Sequence, residues 1–234
     1  MGKSWKNPFK EAQAQKKGKV FTKVAREVAV AAKLGGPDPD ANARLKLAIL
    51  AAKEVSCPKD TIERAIKKGA GQLDDGAQIE ELTYEGFGPH NVGIIVECQS
   101  DNKNRTVSEL RNLFRKHGGH LGETGSVAWM FDRVCLVSGT KANVADPEED
   151  AIEVGANEVA KADDSQYDFF GEPADLDAIR SSLTERGWEI KVAELSFRAK
   201  NITELNEEQQ KEIHELLEAL EDNDDSHRVH ATVN

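Results

Sequence analysis

The feature that most constrains this 234-residue chain is a sheet pattern that starts and stops unfinished. From residue 79 the apolar alternation predicts a strand at 80–84, the turn EGFGP at 85–89 and a second strand at 92–99. Residues 101–132 then read as helix, glycine turn and strand. Val107, Leu110, Leu113 and Phe114 share one helix face, with Arg105, Arg111, Arg115 and Lys116 on the other side. Asp101, Asn102 and Asn104 offer alternative N-caps, and Gly118 and Gly119 stop the helix. At 126–131, Val127, Trp129 and Phe131 alternate with Ala128 and Met130. Two apolar faces predict a central, buried strand.

Strand–strand–helix–strand lacks a second helix to cover its sheet. That helix comes only at 206–220, where Ile213, Leu216, Leu217 and Leu220 fall at i, i+3, i+4 and i+7. A final strand is predicted at 228–233. Between them lies a complete βαββαβ unit. Its strands are expected at 134–137, 158–161, 166–170 and 189–197, the last with a slip in its alternation. Its helices are expected at 146–155 and 173–186, the latter with Leu176, Ile179 and Leu183 inward.

Residues 21–72 predict a small helical bundle. The first helix, 22–34, turns Phe21, Val24, Ala25, Val28 and Ala32 inward and ends at Gly35, Gly36 and Pro37. The second, 39–55, takes Asp38 as N-cap and Pro39 at its first position, with Leu45, Ala48, Ile49 and Ala52 as its core stripe. Cys57 and Pro58 open the third, which packs Ile62, Ala65 and Ile66 inward and closes at Gly69.

The expected fold class is α+β: an N-terminal three-helix domain plus two ferredoxin-like-type α+β domains, one inserted into the other. The expected division is a basic arm at 1–20, a helical domain at 21–72, a middle domain at 79–132 with 201–234, and an inserted domain at 133–200.

A formal charge of −11 conceals a polarity. Residues 1–70 hold 16 Lys and Arg against 7 Asp and Glu, whereas the rest holds 15 against 35. A basic module tethered to an acidic remainder suits a polyanionic partner, the alternative being a solvated lysine-rich helical surface. In the arm, Trp5 and Phe9 sit among Lys3, Lys6, Lys10, Lys16, Lys17 and Lys19, an arrangement suited to base stacking and phosphate tracking. The candidate contact set is Lys16, Lys17, Lys19, Lys23, Arg26, Lys33, Lys46, Lys59, Arg64, Lys67 and Lys68. Asn104 and Arg105 join it at a helix start beside a glycine turn. Phe87 is a further stacking candidate, weighed against a buried turn aromatic. The bland alternative for Arg105 is an ion pair with Glu109.

Nothing points to catalysis. The glycine run 118–125 lacks the ending of a phosphate loop, and neither H-E-x-x-H nor G-x-S-x-G occurs. Asp222, Asp224, Asp225 and His227 could attract a cation, but a calcium loop needs glycine where His227 stands. Cys57, Cys98 and Cys135 are widely spaced and read as small buried hydrophobes, which fits a reducing compartment. The N-terminal stretch has no apolar signal core, and no apolar run is long enough to cross a membrane. The expectation is a cytoplasmic protein with no catalytic residues, no metal, no cofactor and no small-molecule substrate.

Several stretches in one order resemble the YebC family, which includes the mitochondrial translational activator of cytochrome c oxidase. They are GKVFTKVAREVAVAAKLGGPDPDAN (18–42), PKDTIERAIKKGAG (58–71), YEGFGP (84–89), DNKNRT (101–106), GGHLGETGSVAWMFD (118–132) and the acidic run ending in EDNDD. The chain departs from the family pattern in lacking its leading histidine, in His120 where asparagine is usual, and in its SHRVHATVN ending. The resemblance implies three domains and a non-enzymatic regulator of gene expression that binds DNA. It equally implies the alternative of a ribosome-associated factor that contacts ribosomal RNA and relieves stalling at proline runs. A scaffold whose basic domain meets an acidic protein is the third reading.

Overall fold

The computed structural model describes residues 8–73, 78–163 and 165–233, with side chains from residue 17 onward. The expected aromatics Trp5 and Phe9, and Lys3, Lys6, Lys10 and Lys16, lie outside the described residues or side chains. The fold is α+β: three helices followed by two sheet-and-helix units of ferredoxin-like type, one inserted into the other.

Helix α1 spans Pro8–Gly35, so it starts before the expected residue 22 and takes in residues 8–20 of the expected basic arm. Its apolar contact is broader than a stripe. Val28, Ala29, Ala31 and Ala32 are buried because α2 (Ala43–Glu54) and α3 (Lys59–Gly69) both pack on it, and Val30, outside that cluster, is buried as well. Gly69 approaches so closely that a Cβ there would lie 2.1 Å from the Ala29 carbonyl oxygen. Helix α2 begins later than expected. Its N-cap is Asn42, not Asp38, which forms its own turn by accepting the Asp40 N–H. Asn42 is buried because both ends of its amide are used. Its Oδ1 caps Leu45, and its Nδ2 donates to the carbonyls of Ala31 and Gly36 at 2.8 Å each. A residue joining two helices outcompetes one that only caps.

The first sheet has the order β3-β1-β2-β8, with β1 Glu80–Phe87, β2 Gly93–Ser100, β3 His120–Leu121 and β8 Ser226–Ala231. Helix α4 (Lys103–Lys116) is capped by Asn102. It lies beside α7 (Glu207–Glu221), which opens with an Asn206–Gln209 capping box. Leu110, Phe114, Ile213, Leu216 and Leu220 cover Val92, Ile94, Val96 and Cys98.

The second sheet has the order β5-β6-β4-β7, with β4 Phe131–Thr140, β5 Glu158–Lys161, β6 Gln166–Gly171 and β7 Glu189–Ala199. Helices α5 (Pro147–Val154) and α6 (Leu176–Glu185) complete its βαββαβ sequence. The slip in the last strand is a bulge. Ser138 pairs with Val192 and Gly139 with Ile190, leaving Lys191 as the extra residue.

The predicted central strand at 126–131 is absent. A 3₁₀ turn, Ala128–Met130, occupies its middle, Trp129 is 67% exposed, and Phe131 begins β4 in the other sheet. The cause is Glu85, a buried carboxylate on β1. It accepts the N–H groups of Gly125, Val127 and Ala128 at 2.7–2.8 Å, so these donors serve a side chain instead of a ladder. Burial pushes the Glu85 carboxyl up, but the three backbone donors outweigh it and hold the group below the usual carboxylate range. Val127 and Phe131 are still buried, against Ile95 and next to Phe197, where the two sheets meet. Replacing Glu85 with Ala leaves these donors unpaired and is expected to cost about 2–4 kcal/mol. Urea unfolding reads the loss, and faster amide exchange confined to 122–130 would locate it.

Candidate nucleic-acid interface

Lys19, Lys23 and Arg26 fall at i, i+4 and i+7 on α1 and so form one row. The row faces the C-terminal end of α7. Lys19 Nζ donates to the Asp222 carbonyl at 3.2 Å and pairs with Asp224 at 3.7 Å. Lys23 Nζ donates to the Glu221 carbonyl, and Arg26 donates to that of Asp224. Burial pulls the Lys23 ammonium below its ordinary value, and the charges of Asp222, Asp224 and Glu221 only partly offset this.

Arg26 also meets Asp225 Oδ1 at 2.9 Å. Asp225 is buried, and Arg105 holds its other side with an Nη2–Oδ1 distance of 2.8 Å. Thr106 Oγ1 donates to it at 2.7 Å and Ser100 Oγ at 3.0 Å. Burial raises the Asp225 carboxyl, but Thr106, Arg105, Arg26 and Ser100 together hold it below the usual range. Arg105 is thus a structural partner of Asp225 and Asp101, not of Glu109. Glu109 instead accepts from Asn223 Nδ2. Asp225, spent on two arginines, is not available as the cation ligand considered from sequence.

The other candidates divide by exposure. Lys33 donates to the Ile79 carbonyl at 3.0 Å. Lys17, Lys46, Lys59, Arg64 and Lys67 are exposed, and Lys68 is half-buried. Arg64, Lys67 and Lys68 sit at i, i+3 and i+4 on the outer side of α3. Lys59 reaches Glu63 at 3.5 Å, an exposed pair of little weight. Asn104 is exposed in the first turn of α4. Phe87 is half-buried and stacked on His120 at 5.5 Å.

Sequence reasoning missed a charged junction where the three units meet. Arg44 of α2 binds Glu27 of α1 and Glu81 of β1, at 2.8 and 2.7 Å. Gln99 donates to Glu27, and Arg228 joins Glu194 to Glu97. A cavity of about 710 Å³ opens here, lined by Arg44, Arg133, Arg180 and Arg228 and by Glu81, Glu97, Asp177 and Glu194. Nearest-neighbour patterns carry no signal for such pairs, whose members lie far apart in the chain. All three cysteines are buried. Burial pushes the Cys98 thiol up to about 12, which keeps it from acting as a thiolate near neutral pH. Among the described residues no helix is long and apolar enough to cross a membrane.

The model of the TACO1/YebC N-terminal domain matches residues 4–72, and that of the TACO1/YebC second and third domain matches residues 79–233. The chain belongs to the TACO1/YebC family. A probable transcriptional regulatory protein of Bdellovibrio bacteriovorus is 64% identical over 233 residues, covering all of both chains. One from Pseudomonas savastanoi pv. phaseolicola is 46% identical, covering 98% of each chain. The crystal structure of a conserved hypothetical protein from Aquifex aeolicus superposes with a TM-score of 0.84 at 40% identity, covering 93% of this chain and 90% of that one.

The paired state of Asp225 sets an acid dependence. Its folded pKa lies below the unfolded value, so its stabilisation is complete above the unfolded pKa and is lost as pH falls through the folded one. Asp225→Asn leaves Arg26 and Arg105 without their shared anion and is expected to cost about 3 kcal/mol at neutral pH. Below about pH 4 the gap to the parent should narrow, as thermal melts across pH will show.

Proposed function

We propose that this chain is a non-enzymatic, nucleic-acid-binding regulator of gene expression that works in the cytoplasm as a DNA-binding transcriptional regulator. The observation that carries this reading is the outward cationic surface of the helical unit. Lys17, Lys46, Lys59, Arg64 and Lys67 are exposed on α1, α2 and α3, with Lys68 beside them, while the acidic excess lies in the rest of the chain. Lysine point charges and an arginine fork suit phosphates. The name shared by the bacterial relatives supports a regulatory role.

Helix α3 does not look like a base-reading helix. Asp60 and Glu63 share its exposed surface with the cations and would be repelled by the phosphates that flank a groove. Binding is therefore backbone-led and steeply salt-dependent. The same observation favours a second reading, in which the target is ribosomal RNA and the protein is a translation factor at stalled ribosomes. Structured RNA is recognised largely through backbone and shape. In-cell crosslinking with sequencing of both bound DNA and bound RNA separates the two. Promoter enrichment without ribosomal RNA supports the first, and concentration on ribosomal RNA supports the second.

The contact itself is tested by R64E/K67E/K68E. This variant should stay folded by circular dichroism yet bind several-fold more weakly. The slope of log affinity against log salt should fall by about one per lost contact. Full affinity in the folded variant would overturn the assignment.

A further inference from the structure

Three of the cations best placed to follow a phosphate chain are occupied by the protein's own C-terminal segment. Lys19, Lys23 and Arg26 line up on α1, and their partners are oxygens of one short segment, residues 221–225, with Asn223 taking no part. These are the carbonyls of Asp222, Glu221 and Asp224 and the carboxylates of Asp224 and Asp225. The segment ends α7, where the unsatisfied carbonyls form the negative pole of the helix. It therefore presents to α1 what a nucleic-acid backbone presents, a regular run of negative oxygens.

The row is graded along its length. At its outer end, Lys19 and Asp224 are 50% and 58% exposed and 3.7 Å apart, a contact that solvent and salt weaken. At its inner end, Arg26 and Asp225 are 19% and 1% exposed and 2.9 Å apart, with Arg105, Thr106 and Ser100 fixing the carboxylate. The outer contacts are exchangeable, whereas the inner one is an anchor.

We propose that residues 221–224 are an intramolecular competitor for polyanion, and that nucleic acid displaces them from Lys19 and Lys23 while Arg26 stays bound to Asp225. This rests on the nucleic-acid reading above. It means that the resting protein understates its own affinity, because only the fraction with the outer row released binds fully. Release also frees the last turn of α7, where the Asp222 and Asn223 amides donate to the Glu218 and Leu220 carbonyls.

The test is E221Q/D222N/D224N, which leaves the carbonyl contacts and Asp225 in place but removes the Asp224 carboxylate from Lys19 and the three negative charges that hold the Lys23 ammonium. Its matched control, E148Q/E149Q/E215Q, removes the same charge from exposed sites elsewhere. Against a short labelled DNA duplex and a short single-stranded RNA at low salt, the first variant should bind about three- to tenfold tighter than the parent and the control much as the parent does. In the parent, adding the oligonucleotide should speed amide exchange over 221–224. Equal gains in both variants would reveal a general charge effect and overturn the competitor. So would unchanged affinity with unchanged exchange. If the parent binds and R64E/K67E/K68E does not, either result removes the competitor alone and leaves the proposed function standing. No binding by any variant would remove both.

Discussion

Asp225 is a charged group with almost no contact with water, and the relative placement of two units depends on it. A buried carboxylate is tolerable only when its oxygens are fully engaged. Here the donors come from three places in the chain: Arg26 on α1, Ser100 at the end of β2, and Arg105 and Thr106 on α4. The carbonyl of Asp225 also accepts the Gln99 N–H, so backbone and side chain together tie the C-terminal return to the end of β2. Removing any donor leaves the charge short of a partner. The helical unit is therefore docked by an interaction that is intolerant of partial loss.

The same device, a carboxylate with several donors, recurs elsewhere among the described residues. Glu85 gathers three N–H groups of the glycine loop. In the inserted unit, Asp150 accepts from Lys141, Arg186 and the indole N–H of Trp188. Burial opposes its ionisation, yet these partners bring its pKa down to about 2. All three carboxylates have lowered pKa values, so all three lose their stabilising effect as pH falls. Half-buried His227 adds to the trend. Burial lowers its pKa, so acid favours the unfolded state, in which it protonates more readily. Each of these groups therefore withdraws stability as the pH falls.

The charge polarity of the chain has two consequences that only the structure separates. Part of the positive excess faces solvent on α2 and α3, and part is turned inward against acidic neighbours. Arg44 serves Glu27 and Glu81, and the α1 row serves the end of α7. A count of charges treats these alike. Their energetics differ, since an exposed cation keeps most of its hydration, with or without a weak surface partner, while one buried against an acidic neighbour must first give that neighbour up.

The sequence by itself determined the elements whose cause is local. Periodicity placed α3, α4 and α7, the βαββαβ order of the inserted unit, and the bulge in β7. It also showed that a helix and a strand were missing after residue 132 and returned at the end of the chain. Local spacing suffices there because each element buries a face of its own. Tertiary structure decided what depends on distant partners. Alternation at 126–131 looked like a strand because Val127 and Phe131 are buried, but Glu85, some forty residues away, took the N–H groups a strand would need. Asn42 displaced Asp38 as a cap because it alone could reach back to α1. Among the candidate contacts, sequence could name the cations but not their partners. An ion pair spanning some two hundred residues leaves no trace in periodicity, and folding decides which lysines face water and which face Asp222 to Asp225.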